Sequence, residues 1–110
     1  MLPRSNRLAS RAFINAKKHG HQIRYSHLSL ISVPNSLAHS RFAVVTPLSI
    51  SKKAVIRNRL RRILYDQLRN SATEKLSYDI IVYPRASMLN LTREAIGSVL
   101  NSYLSALTPA

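Results

Sequence analysis

The pattern of apolar and polar residues is most regular in the middle of the chain, over residues 52–70. At about 100° per residue, the apolar residues of this segment fall on one stripe: Ile56, Leu60, Ile63 and Leu64, with Leu68 at its edge. The opposite side and one flank are polar and cationic: Asn58, Arg59, Arg62 and Arg69, with Arg57 and Arg61 on the flank. The segment therefore predicts an amphipathic helix with one buried side and one charged side in water.

The helical period also predicts two other helices, one near each end of the chain. The first covers residues 6–19 and stops at Gly20. The last begins after a cap at Asn90 or Thr92 and ends at Pro109.

A segment between the first two helices has the composition of a β-strand. Residues 23–33 are rich in β-branched, aromatic and leucine residues and predict one strand. The alternation of apolar and polar residues is interrupted in this segment. Leu28 and Leu30 are at even positions, whereas Ile31 and Val33 are at odd positions. A bulge or burial on both faces of the sheet would each explain the interruption.

Two further strands complete the predicted fold. Residues 41–46 predict a strand antiparallel to the first, and the continuously apolar residues 79–83 predict a strand inside a covered sheet. The order α-β-β-α-β-α, with room for one more strand, predicts a single α+β domain over 1–110 after a loose arm at 1–5. We expect a two-layer sandwich, in which three helices pack on a small, mainly antiparallel sheet and the basic helix lies between strands.

The charge of the chain points to a polyanionic partner. Its 110 residues contain 17 Lys plus Arg against 4 Asp plus Glu, a formal net charge of +13. Self-repulsion at this imbalance opposes compaction, so such domains usually meet a polyanion. Nucleic acid is the first candidate because its phosphates repeat at a spacing comparable to the cations of 52–70. An anionic membrane surface competes, but no apolar run approaches the ~20 residues that span a bilayer.

The residues that the chain lacks limit other chemistry. It has no cysteine, which excludes disulfides, thiolate metal sites and cysteine nucleophiles. Two-metal phosphodiester chemistry needs several converging carboxylates, and the chain has only Asp66, Glu74, Asp79 and Glu94. Neither a catalytic residue nor a metal site is therefore predicted in this chain. The N-terminus lacks the apolar core of a secretory signal, but its Arg- and Ser-rich start also resembles a transit peptide. We nevertheless expect a cytoplasmic protein.

Residues 54–62, with the sequence AVIRNRLRR, carry a more specific signal. They resemble the RNR signature of the protein subunit of bacterial ribonuclease P. The resemblance extends to Arg7-Leu8, Phe13 and His19-Gly20 in the first helix, and to 78–82 in the strand that follows the signature. It implies an endoribonuclease that removes the 5′ leader of precursor tRNA. The catalytic centre would lie in the RNA subunit with Mg²⁺, bound mainly by that RNA.

The resemblance also implies two sets of RNA contacts. Contacts to the ribonuclease P RNA are expected from cations of the basic helix: Lys52, Lys53, Arg59, Arg61, Arg62 and Arg69. Contacts to the leader of precursor tRNA are expected from residues at matching cleft positions: Phe13, Lys17, Ile31, Thr46, Arg57 and Asn58. Lys17 and Ile31 stand where the family usually has aromatic residues. A monomer with one copy per RNA, and no membrane partner, completes the expectation.

Several residues keep a structural alternative. Phe13 suits the core as well as the cleft, and Arg57 and Asn58 could serve in local capping. Tyr25, Tyr65 and Tyr83 are expected to pack rather than to stack on bases. Asp66 is expected to pair with Arg62, four residues earlier on the helix.

Two other functions fit the charge. A structural RNA-binding protein, ribosomal or chaperone-like, would bind RNA without any role in cleavage, but it gives no reason for the RNR run. A membrane-surface or DNA-compaction protein would bind anionic vesicles or duplex DNA as tightly as RNA. A helix whose apolar side is docked in its own domain disfavours insertion into vesicles.

Overall fold

A four-stranded sheet with helices on both faces forms the body of the protein. The computed structural model describes residues 7–37, 39–69 and 77–106. The predicted arm at 1–5 and the predicted stop at Pro109 lie outside these residues. In chain order the elements are α1 (Ser10–His19), β1 (His21–Arg24), β2 (Leu28–Pro34), β3 (Arg41–Val44), α2 (Ala54–Arg69), β4 (Tyr78–Pro84), a 3₁₀ helix (Ala86–Asn90) and α3 (Arg93–Leu104).

The strands are ordered β1-β2-β4-β3 across the sheet. β1 with β2 and β2 with β4 pair antiparallel, whereas β3 and β4 pair parallel. The mainly antiparallel sheet is therefore confirmed. β3 runs opposite to β2 as predicted, but it is not bonded to β2, because β4 lies between them. Its parallel pairing follows from α2, which carries the chain from the end of β3 back to the start of β4.

The single strand predicted at 23–33 is wrong, because the segment folds into a hairpin of β1 and β2. The Tyr25 amide donates to the Leu28 carbonyl at 2.8 Å and closes the turn. Within β2, Leu28 and Leu30 belong to the main core, whereas Ile31 lies in a second cluster on the other face, with Val33 packed against it. Burial on both faces thus accounts for the interrupted alternation.

The main hydrophobic core lies between one face of the sheet and the pair α2 and α3. The predicted apolar stripe of α2 supplies Leu60, Leu64 and Leu68, all buried, while Ile56 and Ile63 are half-buried. Burying a leucine side chain stabilises a fold by about 1.5–3 kcal/mol, so this stripe fixes α2 against the sheet. α3 contributes its own stripe to the same core, and its buried apolar residues are Ile96, Leu100 and Leu104.

The opposite face of the sheet carries α1 and a smaller cluster. Ala16, Ile31 and Ile81 are buried there, and Phe13 packs against them. The predicted sandwich is confirmed in its main layers, the sheet and α2 with α3. In addition, α1 forms a partial third layer, which among the described residues covers part of this face.

The ends of the helices follow the expected chemistry. α2 begins at Ala54, two residues later than predicted. Lys53 stands at the cap position, where its carbonyl accepts from the Arg57 amide at 3.2 Å. The predicted cap of α3 is confirmed at Thr92, whose hydroxyl accepts from the Ala95 amide at 3.1 Å. None of the helices in the described parts is long and apolar enough to cross a membrane.

The outer edge of β3 is covered, although among the described strands β3 pairs only with β4. The Leu8 amide donates to the Phe42 carbonyl at 2.9 Å, next to a parallel bridge between Arg7 and Phe42. The Val44 amide donates to the Tyr65 hydroxyl at 3.1 Å. Tyr65 is therefore a packing residue, as predicted, and it ties α2 to β3.

Candidate RNA interface

The solvent side of α2 presents a row of arginines, which we call the arginine face: Arg59, Arg61, Arg62 and Arg69. Arg59, Arg62 and Arg69 are exposed, and Arg61 is half-buried. Lys52 and Lys53 are exposed and directly precede the helix. Because the opposite stripe of α2 is buried, the backbone that carries these cations is held in place, and the charges point into water.

The first turn of α2 is held by local hydrogen bonds. The Arg57 guanidinium donates to the Ser51 carbonyl at 2.8 Å, and the Ser51 hydroxyl accepts from the Lys53 amide at 3.2 Å. The Asn58 carboxamide oxygen accepts from the Arg61 guanidinium. Asn58 therefore orients Arg61 of the arginine face. Arg57 makes a local hydrogen bond at the start of the helix, which was the structural alternative to an RNA contact.

Asp66 links α2 to α3. Its carboxylate accepts from Arg93 at 3.0 Å, rather than from Arg62 as the sequence predicted. This hydrogen bond lowers the pKa of the Asp66 carboxyl. Arg59 and Arg62 border an open cavity of about 290 Å³ beside this pair. Arg93 thus adds a cation next to the arginine face, and the sequence alone gave no sign of it.

A second basic surface lies beside α1 on the other face of the sheet. Here a cavity of about 590 Å³, the sheet cleft, is lined by Lys17, Gln22, Arg24, Ser29, Ile31, Tyr83 and Arg85. The lining includes Lys17, Arg24 and Arg85 as cations and contains no acidic residue. Arg24, Ser29 and Tyr83 lie side by side on three neighbouring strands, because Ser29 is opposite both of the others in the register.

Tyr83 forms part of the floor of the sheet cleft. It is half-buried, and this burial raises the pKa of its hydroxyl. Its ring also packs against the small cluster under α1. Tyr83 thus packs in the fold, as predicted, and also borders the cleft, so packing and a contact to a base are not exclusive for this residue. Tyr25, by contrast, stacks on Tyr103 with ring centroids 3.8 Å apart.

The structure brings together some of the predicted leader contacts but not all of them. Lys17 and Ile31 line the sheet cleft. Phe13 is half-buried and packs against the small cluster, in agreement with the core alternative. Thr46, Arg57 and Asn58 are not among the residues that line the cleft.

Five residues that line the sheet cleft were not predicted as leader contacts: Gln22, Arg24, Ser29, Tyr83 and Arg85. Arg24 belongs to β1, Tyr83 to β4, and Arg85 directly follows β4. No spacing in the sequence connects them. Only the pairing register of the strands places Arg24 and Tyr83 on one face, so the register was the signal needed to find them.

A metal-binding cluster is not formed by the residues that the structure describes, since no three His, Asp or Glu side chains there are placed to hold an ion. Asp66 and Asp79 are each paired with an arginine. These two carboxylates are therefore engaged in ion pairs within the fold.

Comparison with known proteins gives one consistent result. Residues 2–108 match the family described as Ribonuclease P. The Ribonuclease P protein component of Vibrio parahaemolyticus is 30% identical over 82 residues, covering 74% of this chain and 70% of that protein. The corresponding protein of Aliivibrio fischeri is 29% identical over 84 residues, covering 76% and 72%.

Solved structures share the fold. The RNase P protein from Thermotoga maritima superposes with a TM-score of 0.80 at 22% identity, over 93% of this chain and 97% of that one. A mutant of the Staphylococcus aureus RNase P protein gives a TM-score of 0.83 at 23% identity, over 94% and 88%. At these identities the likeness supports the α+β fold alone.

The fold and its surfaces define a class: a small, strongly basic α+β protein that carries an arginine-bearing helix between two parallel-paired strands. The chain belongs to the ribonuclease P protein family. It is accordingly a subunit of the endoribonuclease ribonuclease P and acts in maturation of the tRNA 5′ end. An RNA partner follows from this membership, because the family's members are the protein components of that enzyme.

Proposed function

We propose that the chain docks on the RNA subunit of ribonuclease P through the arginine face, with Lys52 and Lys53 extending this contact. The observation that carries the proposal is the exposure of Arg59 and Arg62 on a helix whose other side is buried. A planar guanidinium can bind two phosphate oxygens at once, and a folded RNA brings phosphates of separate strands close together. A rigid row of such groups therefore suits a structured RNA better than flexible lysines would.

We further propose that the sheet cleft holds the 5′ leader of precursor tRNA. Lys17, Arg24 and Arg85 would contact its phosphates, and the ring of Tyr83 would support an unstacked base. Cations outnumber aromatic rings in this cleft, so the grip should be mainly ionic. Its affinity should fall with salt with a log–log slope of roughly −0.7 per phosphate contact. The family resemblance also implies leader contacts from Thr46, Arg57, Asn58 and Phe13. For Arg57 and Phe13 these contacts would come in addition to the local hydrogen bond and the packing described above.

Phosphodiester hydrolysis itself is assigned to the RNA subunit. Mg²⁺ would supply charge stabilisation and an activated water there, held mainly by RNA oxygens. The described residues of this chain do not form a cluster of Mg²⁺ ligands, and we assign no step of the hydrolysis to them. The chain contributes binding and positioning of the two RNAs.

The proposed assembly is simple. One copy of the monomeric protein binds one ribonuclease P RNA, and the precursor tRNA binds across both. We expect this complex in the cytoplasm, where precursor tRNA is made.

Reconstitution with the RNA subunit tests the docking proposal. We expect the protein alone to leave precursor tRNA uncut, and the protein with the RNA to restore 5′ cleavage at low Mg²⁺. Arg62→Ala should raise the protein concentration needed several-fold and reduce the salt slope of RNA binding by about one phosphate contact. Lys18→Ala removes another exposed charge, from α1, and serves as the control.

Two outcomes would contradict the docking proposal. Cleavage by RNA-free protein that survives Arg59→Ala would place the active site in the protein. Tighter binding to ribosomal RNA than to the ribonuclease P RNA in a competition assay would favour a structural RNA-binding protein.

A substitution series at Tyr83 tests the leader proposal. Tyr83→Phe keeps the ring, so the reconstituted enzyme should keep its affinity for leader-bearing precursor tRNA. Tyr83→Ala should weaken that affinity by about 1–3 kcal/mol, the contribution of one stacked base. The measurement is the Kd for precursor tRNA with a long leader, against mature tRNA as the control. Equal losses for both tRNAs would show that Tyr83 does not contact the leader.

A further inference from the structure

α1 crosses the sheet and separates the sheet cleft from another cavity of about 550 Å³, which we call the Arg41 cavity. It is lined by Arg11 and Asn15 of α1, Asn35 and Ser36 of the turn after β2, and Arg41 and Asp79 at the starts of β3 and β4. Along β4, Asp79 is four residues from Tyr83, which corresponds to roughly 13 Å at 3.3 Å per residue. One phosphate group could not contact both cavities.

The guanidinium of Arg41 is fixed by a buried carboxylate. Its Nε donates to Asp79 Oδ1 at 2.8 Å and its Nη2 to Asp79 Oδ2 at 2.7 Å. The Asp79 side chain is 5% exposed, whereas that of Arg41 is 26% exposed. The hydrogen bond to Asp79 raises the pKa of Arg41, so the group stays charged. A guanidinium has five N–H donors. This side-on pairing leaves the end-on pair of Nη donors directed away from Asp79.

The acceptors around Arg41 are already occupied. Asp79 Oδ1 also accepts from the Asn35 amide at 2.9 Å, and the same Asn35 nitrogen reaches the His39 carbonyl at 3.1 Å. The Asn35 side-chain oxygen accepts from the Leu37 amide at 2.9 Å. The acidic group of this cavity is thus neutralised by Arg41. A ligand on this side would therefore meet the remaining N–H donors of Arg41, whose guanidinium is held in place by Asp79.

The opposite wall of the Arg41 cavity adds a second cation. Arg11 and Asn15 lie one turn apart on α1, line the cavity and are exposed. No hydrogen bond joins either side chain to another residue of the described ranges. Arg11 and Arg41 against Asp79 give the lining a net positive charge, with the two guanidinium groups on different elements.

We propose that the Arg41 cavity binds a phosphodiester group of RNA, as a contact separate from both the arginine face and the sheet cleft. The end-on edge of Arg41 takes two phosphate oxygens, Arg11 adds charge from α1, and Asn15 donates a neutral hydrogen bond. This proposal rests on the RNA-binding function proposed above. The phosphate belongs either to the ribonuclease P RNA or to the precursor tRNA, and the two are distinguished by the test.

Substitutions on α1 test the site without disturbing the buried pair. Replacing Arg41 would leave Asp79 buried without its partner and would destabilise the fold, so Arg41 is left intact. Arg11→Gln should lower RNA affinity several-fold and reduce the log–log salt slope by about 0.7–0.9, the value of one phosphate contact. Asn15→Ala should lower affinity without changing the slope. Lys18→Gln removes a charge from the same helix outside the cavity and is the matched control.

The measurement is made in two arms over a salt series. One arm follows binding of the full chain to the ribonuclease P RNA, and the other follows binding of the reconstituted enzyme to precursor tRNA. A loss specific to Arg11→Gln in the first arm assigns the phosphate to the enzyme's RNA, and a loss in the second assigns it to the substrate. If Arg11→Gln matches Lys18→Gln in both arms while Arg62→Ala still weakens binding, the Arg41 cavity is not a site and the docking proposal stands.

A titration with inorganic phosphate gives an independent readout. In NMR spectra of the full chain, saturable shifts are expected at the Arg41 Nε–H and at the Asn15 side-chain amide. Arg11→Gln should abolish the saturation, whereas Lys18→Gln should leave it in place. Shifts that fail to saturate, or that spread equally over the arginines of α2, would overturn the proposal.

Discussion

Gly20 is required by the space around it, although its backbone conformation is open to any residue. It ends α1 with φ −74°, and its amide donates to the Ala16 carbonyl. A Cβ at this position would overlap the Ala16 carbonyl oxygen and Ile31 Cγ2. The stop at Gly20 was predictable as a common helix signal, but its cause is the close approach of α1 to β2. That approach depends on a contact far along the chain, so the sequence could not show it.

Replacing Gly20 tests this explanation. Gly20→Ala should destabilise the protein by about 1–3 kcal/mol, as overpacking against backbone does. Gly97→Ala is the matched control, since its Cβ would meet only the flexible end of Gln67 and the change to Ala favours a helix by about 1 kcal/mol. Denaturant unfolding of both variants gives the comparison. An unchanged midpoint for Gly20→Ala would show that α1 can shift away from β2 at little cost.

At the scale of elements, α2 and the hairpin show why some predictions succeeded and others did not. A local period of apolar residues predicts α2. The structure places the apolar stripe of this helix in the core and Arg59 and Arg62 in water. The turn between β1 and β2 has the sequence Tyr25-Ser26-His27, with no glycine or proline to mark it. The sequence pattern therefore predicts one strand where the structure has two, β1 and β2.

The ion pair between Asp66 and Arg93 joins α2 to α3 and gives a pH-dependent prediction. Because the hydrogen bond from Arg93 lowers the pKa of Asp66 in the folded state, the pair stabilises the protein above the ordinary carboxyl pKa of ~3.9. This contribution is lost as the pH falls through the lowered value. Arg93→Gln should therefore reduce the free energy of unfolding slightly at pH 7, and variant and parent should converge once the pH has fallen below the lowered pKa of Asp66.

Both side chains of this pair are partly in water, so a change of salt concentration serves as the control. The side chains of Arg93 and Asp66 are 51% and 39% exposed, so salt should screen their attraction. Urea unfolding of parent and variant at two pH values and two salt concentrations measures the effect. A difference that persists at low pH would mean that Arg93 acts through packing of its side chain and not through its charge.

At the scale of the whole molecule, a formal net charge of +13 on 110 residues opposes folding. Ligands that bind only the native state stabilise it by mass action, and each basic surface described above is a potential anion site. We expect the Tm to rise in phosphate or sulfate above its value in chloride at equal ionic strength. Thermal unfolding followed by circular dichroism gives the measurement. Equal Tm values in all three salts would show that screening alone relieves the repulsion.

The surfaces of the whole molecule were predictable to different degrees. The arginine face lies on one helix, so a local pattern and the RNR run were sufficient to find it. The sheet cleft and the Arg41 cavity combine residues from separate segments, and Arg24 meets Tyr83 only through the pairing of three strands. Sequence spacing carries no information on such a row until the strand order is known.

The covered edge of β3 bears on how so basic a protein avoids sticking to copies of itself. An unpaired strand edge can recruit a strand from another molecule, and bound RNA would bring such molecules close by cancelling their mutual repulsion. Here the Phe42 carbonyl and the Val44 amide are occupied by Leu8 and by the Tyr65 hydroxyl. The helix that we propose to face the ribozyme thus also covers the β3 edge of the sheet. We expect this cover to oppose strand addition there when charge no longer separates neighbouring molecules.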